Sequence, residues 1–305
     1  MEFFRTPDER FATLSGFAFA PHYREWNGLR LHHIDEGPSD APVFLLLHGE
    51  PTWSFLYRNW IPQLVARGYR CIAPDHPGFG RSDKPIDDDW YVIERHVEAL
   101  RDLIQTLDLH RINLVVQDWG GPIGLRQLCD MPERFERVFV LNTWLHHEGF
   151  EYSEGIRWWR QAALDPKQLG GDMAIDRIVL GSARRPHPDD VSAEVTAGYL
   201  APFPTPASKA GARRFPYCIP FGDPVAGNAV DQQRCFDAFP ALDVAKHVIF
   251  GDADTVFTWD WAQKWHSLLP GSTLDRIEGA GHFVQEDATQ DCVDAVLRHA
   301  GRASA

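Results

Sequence analysis

The chain has 305 residues, 44% of them apolar, and its 43 acidic against 30 basic side chains give a formal net charge of −13. An acidic balance of this size disfavours nucleic acid and anionic membrane surfaces as partners, because both require clustered Lys and Arg. The N-terminus lacks a signal-peptide pattern, no stretch approaches the roughly 20 apolar residues of a membrane helix, and the five cysteines form no C-x-x-C pair, so we expect a cytoplasmic protein with neither a disulfide framework nor a zinc ribbon.

Short apolar runs alternate with amphipathic stretches over the first half of the chain. Strands are predicted at residues 43–47, 69–73, 112–116 and 138–141, and helices at residues 54–67, 93–107 and 121–131. The first helix begins at Ser54, which can cap it, and ends at Gly68. Strands that alternate with helices are typical of a mostly parallel α/β sheet.

The alternation is interrupted once, between residues 143 and 241, where Trp, Pro, Gly and charged residues crowd together. It returns with strands at residues 247–250 and 273–277, a helix at residues 259–268 and a terminal helix. An inserted helical segment is a known way to cover the carboxyl ends of parallel strands, where such sheets bind ligands. We therefore predict a core domain of residues 1–142 and 242–305 and a helical cap of residues 143–241.

Residues 115–121 read VVQDWGG, a strand that runs into a glycine pair and then a helix. This is the layout of a nucleophile elbow, in which small residues permit a sharp turn and the central side chain is aimed into a site above the sheet. The central residue is Asp118, where hydrolases of acyl esters have Ser. From this segment alone, the alternative that Asp118 only caps the following helix stays open.

Two later residues favour catalysis, because Asp254 and His282 each follow a predicted late strand. In the α/β-hydrolase triad the nucleophile comes first along the chain, then the acid and then the histidine, and each lies on a loop after a strand. We therefore predict an α/β-hydrolase fold with Asp118, Asp254 and His282 as catalytic residues. Asp252 is the alternative acid, and Asp254 is preferred because it lies farther into its loop.

A carboxylate nucleophile indicates displacement at a saturated carbon. Attack by Ser would give an ether that water does not readily cleave, whereas attack by Asp118 gives an ester that water activated by His282 can hydrolyse. The oxyanion formed in that hydrolysis requires backbone N–H donors, which we assign to Glu50, after the first buried strand, and to Trp119. The indole of Trp119 can donate to a weakly hydrated halide leaving group while its ring excludes water.

Three segments together resemble the haloalkane dehalogenases of the α/β-hydrolase superfamily: HGEPTWS at 48–54, QDWGG at 117–121 and GHFVQE at 281–286. The resemblance begins near Leu31, thins in the insertion, and is closest to the branch with H-G-E-P and the acid after the late strand. Asn142 stands where another branch keeps its acid. The family implies a hydrolase without cofactor or metal that converts a haloalkane and water into a primary alcohol, a halide ion and a proton.

The resemblance also implies a second halide donor, which in the similar branch is a Trp of the cap. Residues 154–160 read EGIRWWR, and Trp159 matches that position best, with Trp158 as the alternative. Six apolar residues are suggested as the pocket lining by their location alone, and each could equally belong to the core of the cap. They are Phe79, Ile156, Phe203, Phe215, Pro216 and Phe221.

Other functions are less well supported. An epoxide hydrolase shares the fold and the triad and would use cap tyrosines, for which Tyr152, Tyr199 and Tyr217 are available, but Trp119 fits a departing halide better. A haloacid dehalogenase of this fold would require arginines beside the nucleophile. No H-x-H or H-E-x-x-H cluster indicates a metal hydrolase, and a non-catalytic binding protein would have a broken triad. We expect a monomer.

Overall fold

The computed structural model describes residues 1–182, 184 and 189–302. The strands of the described chain are β1 (Phe3–Phe4), β2 (His22–Trp26), β3 (Leu29–Glu36), β4 (Val43–Leu47), β5 (Arg70–Pro74), β6 (Lys84–Pro85), β7 (Ile112–Gln117), β8 (Phe135–Leu141), β9 (Ala245–Gly251) and β10 (Thr273–Ile277). The α-helices are α1 (Ile61–Val65), α2 (Ile93–Thr106), α3 (Gly120–Asp130), α4 (Glu154–Leu164), α5 (Ile175–Gly181), α6 (Asp189–Leu200), α7 (Ala210–Arg214), α8 (Ala229–Ala238), α9 (Trp259–Leu268), α10 (Val284–Asp287) and α11 (Thr289–Ala300). Short 3₁₀ helices lie at Asp8–Phe11, Ser54–Tyr57, Asp88–Trp90, Pro132–Arg134, Pro206–Lys209, Phe215–Cys218 and Phe239–Ala241.

Eight strands form the central sheet, in the order β10-β9-β8-β7-β4-β5-β3-β2. The strands from β10 to β5 are parallel to their neighbours, whereas β3 and β2 are antiparallel. Every residue of β4 and β7 is buried, as expected for parallel strands covered by helices on both faces. The predicted α/β class with a mostly parallel sheet is confirmed.

The register of the parallel strands brings their carboxyl ends to one edge of the sheet. Leu47 at the end of β4 lies opposite Val116 of β7, and Leu141 of β8 lies opposite Ile249 of β9. At the far side, Gly251 of β9 pairs with the end of β10. The loops that follow these strands therefore emerge beside one another, which is where open α/β sheets bind ligands.

The prediction of one helix over residues 54–67 is wrong. A 3₁₀ turn at Ser54–Tyr57 is followed by the short α1. The Ser54 amide donates to Asp75 Oδ1 at 2.8 Å, and the Ser54 hydroxyl makes no capping hydrogen bond. Pro62 lies in the first turn of α1, and in one continuous helix its ring would clash with a carbonyl of the preceding turn.

Strands β2 and β3, and the small antiparallel pair β1 and β6, were not predicted. The sequence of β3 contains His32, His33 and Asp35, which hide the apolar alternation of a strand. These polar groups are accommodated individually: His32 Nδ1 lies 2.7 Å from Asp75 Oδ2, and Asp35 binds the Arg70 guanidinium. Side-chain partners on neighbouring segments thus stabilise a strand that hydrophobic periodicity does not reveal.

The segment 143–241 contains α4 to α8 and, among its described residues, no strand. Its apolar side chains, among them Ile156 and Tyr199, belong to the same hydrophobic cluster as the central sheet. Within the described part of the chain, no helix is both long and apolar enough to cross a bilayer. The segment therefore shares one continuous hydrophobic core with the central sheet.

A buried ion pair fastens this segment to the rest of the molecule. The Arg58 guanidinium donates to both oxygens of Glu286, at 2.8 and 2.7 Å, and the Tyr199 hydroxyl of α6 donates to Glu286 Oε2 at 2.7 Å. All three residues are buried, and hydrogen bonds to ionised partners are the stronger ones in proteins. Helix α6 is thereby tied to α10, directly after the loop that carries His282.

Candidate active site

Asp118 lies directly after β7 with a φ of +48°, in the left-handed region that non-glycine residues seldom adopt. Its amide donates to the Asn142 carbonyl at 3.0 Å, and its own carbonyl accepts from the Thr143 hydroxyl and the Gly121 amide. These bonds stabilise the sharp turn. Helix α3 is capped at Trp119 without a side-chain hydrogen bond, so the interpretation of Asp118 as a mere helix cap is wrong.

Two backbone amides bind the Asp118 carboxylate. Oδ2 accepts from the Glu50 amide at 2.8 Å, and the Trp119 amide hydrogen-bonds the same carboxylate group. Gly49 permits the approach of the carboxylate, because a Cβ at that position would collide with the Asp118 side chain. The two amides that the sequence assigned to an oxyanion hole therefore both lie at the Asp118 carboxylate.

The other carboxylate oxygen faces His282. Asp118 Oδ1 lies 3.8 Å from His282 Nε2, and His282 Nδ1 lies 3.0 Å from Asp254 Oδ2. A carboxylate at Nδ1 holds the proton on that nitrogen and leaves Nε2 with its lone pair toward Asp118. The Gln117 side-chain amide donates to the His282 carbonyl at 3.1 Å and so helps to hold the histidine loop.

Asp254, and not Asp252, is the carboxylate beside the imidazole. Asp254 is 4% exposed and accepts from the Asn142 side-chain amide at 2.8 Å and from the Val256 amide at 2.7 Å. Asp252 instead binds Arg276 and the backbone of the next turn. The structure thus brings Asp118, Asp254 and His282 together.

Burial and neighbouring charges set the ionisation of the site. Burial raises the pKa of the Asp118 carboxyl, while His282 and the two amides act in the opposite direction. Burial lowers the pKa of His282, but the carboxylates of Asp254 and Asp118 outweigh it, so the net pKa is raised above 6.5. Burial and the nearby Asp118 charge raise the pKa of the Glu50 carboxyl well above 4.5. The net pKa of Asp118 is raised above 3.8, and the raised pKa of Glu50 favours the neutral form of that side chain.

Two residues near the triad have roles that the sequence motifs did not reveal. The buried Glu50 side chain has an oxygen, Oε1, without a hydrogen-bond partner in the described structure, and it borders the cavity described next. The Asn142 side chain donates to Asp254 and accepts from the Gly251 amide at 3.0 Å, which links the loops after β8 and β9. The signals for Asn142 were its place at the end of a predicted strand and its position where another branch of the family keeps its acid.

A cavity of about 350 Å³ opens above Asp118. Trp119 and Trp159 both line it, and the Trp119 indole forms no hydrogen bond among the described residues, so its N–H is available to a ligand. Trp159 is half-buried, whereas Trp158 is 61% exposed and touches the cavity only with a largely solvated ring. Other lining residues are Trp144, Gly155, Ile156, Leu169, Arg177, Ile178, Gly181, Ser182, Arg184, Ile219, Thr255, Val256, Phe257 and Phe283.

Of the six apolar residues suggested for the lining, only Ile156 lies in the cavity wall. Phe215 packs edge-on against the Trp119 ring at 5.4 Å between ring centres, and Phe79 packs on Phe215 at 5.1 Å. These rings form a second layer behind the wall. Phe203, Pro216 and Phe221 do not line the cavity either. The observed wall includes Trp144 and Phe257, from loops whose approach depends on the tertiary fold.

None of the three cap tyrosines available to an epoxide hydrolase lines the cavity. The Tyr199 hydroxyl donates to Glu286, and the Tyr152 hydroxyl lies 2.8 Å from His146 Nδ1. Tyr217 is 40% exposed. No group of three His, Cys, Asp or Glu side chains in the described chain could hold a metal ion. The polar groups that border the cavity are instead those of Asp118, His282 and Glu50, together with indole rings, two arginines and hydroxyl side chains.

Known proteins with similar sequences or structures agree with this geometry. A model of the α/β-hydrolase fold family matches residues 42–189. A haloalkane dehalogenase of Psychrobacter cryohalolentis is 40% identical over 94% of this chain and 94% of its own length. A cis-3-alkyl-4-alkyloxetan-2-one decarboxylase of Shewanella oneidensis is 31% identical, covering 90% of this chain and 86% of its own. The tetrameric haloalkane dehalogenase DpaA of Paraglaciecola agarilytica NO2 superposes with a TM-score of 0.87 at 35% identity, covering 98% and 97% of the two chains.

Proposed function

Because the chain belongs to the haloalkane dehalogenases, which are hydrolases acting on carbon–halogen bonds, we propose that it works through a covalent alkyl ester on Asp118. The observation that carries this proposal is that the two oxygens of the Asp118 carboxylate have different neighbours. Oδ2 accepts from the Glu50 amide, Oδ1 lies 3.8 Å from His282 Nε2, and the residue borders the cavity. We assign the catalytic roles to Asp118, His282 and Asp254.

In the first step, Asp118 Oδ1 attacks the carbon that bears the halogen. A carbon–oxygen bond forms, the carbon–halogen bond breaks, and the halide leaves with the bonding electrons. We assign Trp119 and Trp159 as N–H donors to the halide, because both rings line the cavity in which it departs. An indole N–H in a water-poor cavity stabilises developing negative charge more strongly than the same donor would in water.

In the second step, water attacks the carbonyl carbon of the ester while His282 Nε2 accepts its proton. The oxyanion develops on Oδ2, which already accepts from the Glu50 amide, and we assign the Trp119 amide, which also binds this carboxylate, as the second donor. Collapse releases a primary alcohol and restores the Asp118 carboxylate. Asp254 orients the imidazole and stabilises its transient positive charge.

We expect the purified protein to release one halide ion and one alcohol per substrate from chloro-, bromo- and iodoalkanes, with no added cofactor or metal. Halide and alcohol are measured together across alkyl chain lengths. A terminal epoxide and a cis-dialkyl oxetan-2-one serve as comparison substrates, since the first tests the epoxide hydrolase alternative and the second the activity named for the Shewanella relative. Turnover of either comparison substrate without halide release from any haloalkane would contradict the proposal.

Substitution of Trp159 tests the second halide donor. We expect Trp159→Phe to weaken iodide binding about tenfold or more, because a hydrogen bond to a charged group contributes about 1.5–3 kcal/mol. Isothermal titration with sodium iodide measures the dissociation constant. Trp158→Phe is the matched substitution on the neighbouring, exposed ring and should change the constant far less. The reverse order of effects would assign the donor to Trp158.

A further inference from the structure

Two arginines stand at the opening of the cavity. Arg177 lies on α5 and Arg184 follows that helix, and both border the same cavity as Asp118. Both are exposed to solvent while they line the cavity, so they mark its outer end. Asp118 and His282, by contrast, are buried at its inner end.

The opening carries two positively charged side chains, whereas the whole chain has a formal net charge of −13. Among the described residues, the ionisable side chains that line the cavity are those of the two arginines outside and of Asp118, Glu50 and His282 inside. The cavity therefore has its cationic side chains at the mouth and the proposed catalytic groups at the base.

In the part of the chain that the structure describes, Arg177 has no partner of opposite charge. Its guanidinium makes no hydrogen bond or ion pair among the described residues. Arg184 is more constrained, because its guanidinium donates to the Gly181 carbonyl at 3.2 Å and its amide to Asp287. The walls between the mouth and Asp118 are largely apolar, with Ile156, Leu169 and Ile178 among them. A linear apolar chain can thus fill the cavity while one end meets a cation.

We propose that this mouth recruits haloalkanes whose far end is anionic, with ω-haloalkanoates as the substrate class. The substrate carboxylate pairs with Arg177 at the opening, and the carbon–halogen bond lies at Asp118. A guanidinium suits this task because its fixed donors match a carboxylate in a bidentate manner. The inference rests on the proposed dehalogenation at Asp118. It differs from haloacid chemistry, in which the carboxylate is bound beside the nucleophile.

The test compares ω-bromohexanoate with neutral bromohexane. We expect Arg177→Gln to lower the ratio of kcat/KM for the anionic over the neutral substrate about two- to fivefold, the range of exposed ion pairs. Arg177→Glu should lower it on the order of tenfold, because like charge then faces the carboxylate. Arg67→Gln is the matched control: Arg67 is exposed, lies outside the cavity and loses the same charge. It should leave the ratio unchanged.

Three outcomes would contradict the proposed role of Arg177 at the mouth of the cavity. If the wild type turns over neither substrate, the dehalogenation itself fails, and the inference about the mouth falls with it. If bromohexane is turned over but Arg177→Gln and Arg67→Gln change the ratio equally, only the overall charge matters and the mouth proposal is overturned. It is also overturned if Arg177→Gln leaves the ratio intact and instead changes inhibition by bromide, since the mouth would then serve the departing halide.

Discussion

Replacement of His282 by Phe should stop the reaction halfway, with the alkyl group of the substrate attached to Asp118. Alkylation requires the carboxylate but no base, whereas ester hydrolysis requires His282 Nε2 to accept a proton from water. We expect the turnover rate with bromohexane to fall on the order of 10⁴-fold or more. Mass spectrometry of the protein after substrate addition should show a gain of one hexyl group, on the peptide that contains Asp118.

Phe is the appropriate replacement because His282 already packs among aromatic rings. Its ring centre lies 5.6 Å from that of Phe257 and 4.8 Å from that of Phe283. The double variant Asp118→Asn/His282→Phe is the control, and it should acquire no hexyl group. An adduct on another residue, or sustained halide release without any adduct, would contradict the covalent mechanism.

Asp254→Asn should reduce ester hydrolysis by about 10⁴-fold, because an amide beside Nδ1 favours the wrong imidazole tautomer. In the native site the Asp254 carboxylate accepts from His282 Nδ1 at 3.0 Å. An Asn side chain can present its N–H₂ there, which moves the ring proton to Nε2 and removes the base. Single-turnover kinetics should then show a normal burst of halide followed by slow release of alcohol.

Asp252→Asn is the matched control for this variant. It changes the same functional group in the same loop, but Asp252 binds Arg276 at the surface, away from the imidazole. We expect its turnover rate to stay within about twofold of the wild type, as is usual for surface ion pairs. Loss of activity in Asp252→Asn with retention in Asp254→Asn would transfer the role of the acid to Asp252.

The positions of the three residues proposed as catalytic could be predicted because each depends on a short stretch of chain. The turn around Asp118 requires small neighbours and follows a buried strand, so this motif can be recognised from consecutive residues of the sequence. His282 and Asp254 were identified by their order and by the strands before them. In all three cases the contacts that matter follow from parallel strands that end at one edge of a sheet.

The features that could not be predicted depend on contacts between distant segments. The helix expected at residues 54–67 is divided into a 3₁₀ turn and the short α1, and the Ser54 amide at its start is bound by Asp75, twenty-one positions away. The cavity wall is formed where the insertion meets the loops after β8 and β9, so Trp144 and Phe257 line it while Phe79 and Phe215 lie behind it. The position of an aromatic residue along the sequence does not determine whether its ring lines the cavity or packs behind the wall.

The position of the Asp118 carboxylate also bears on which substrates the site does not hydrolyse, namely carboxylic esters that enter from solution. An esterase of this fold keeps its two amide donors open for the carbonyl of an incoming ester. Here both donors are already engaged by the nucleophile itself. A foreign ester that enters the cavity finds no donor pair to polarise its carbonyl. Under the proposed mechanism, the carbonyl that these amides activate is that of the ester formed on Asp118 itself, so the site would select by chemistry and not by steric exclusion.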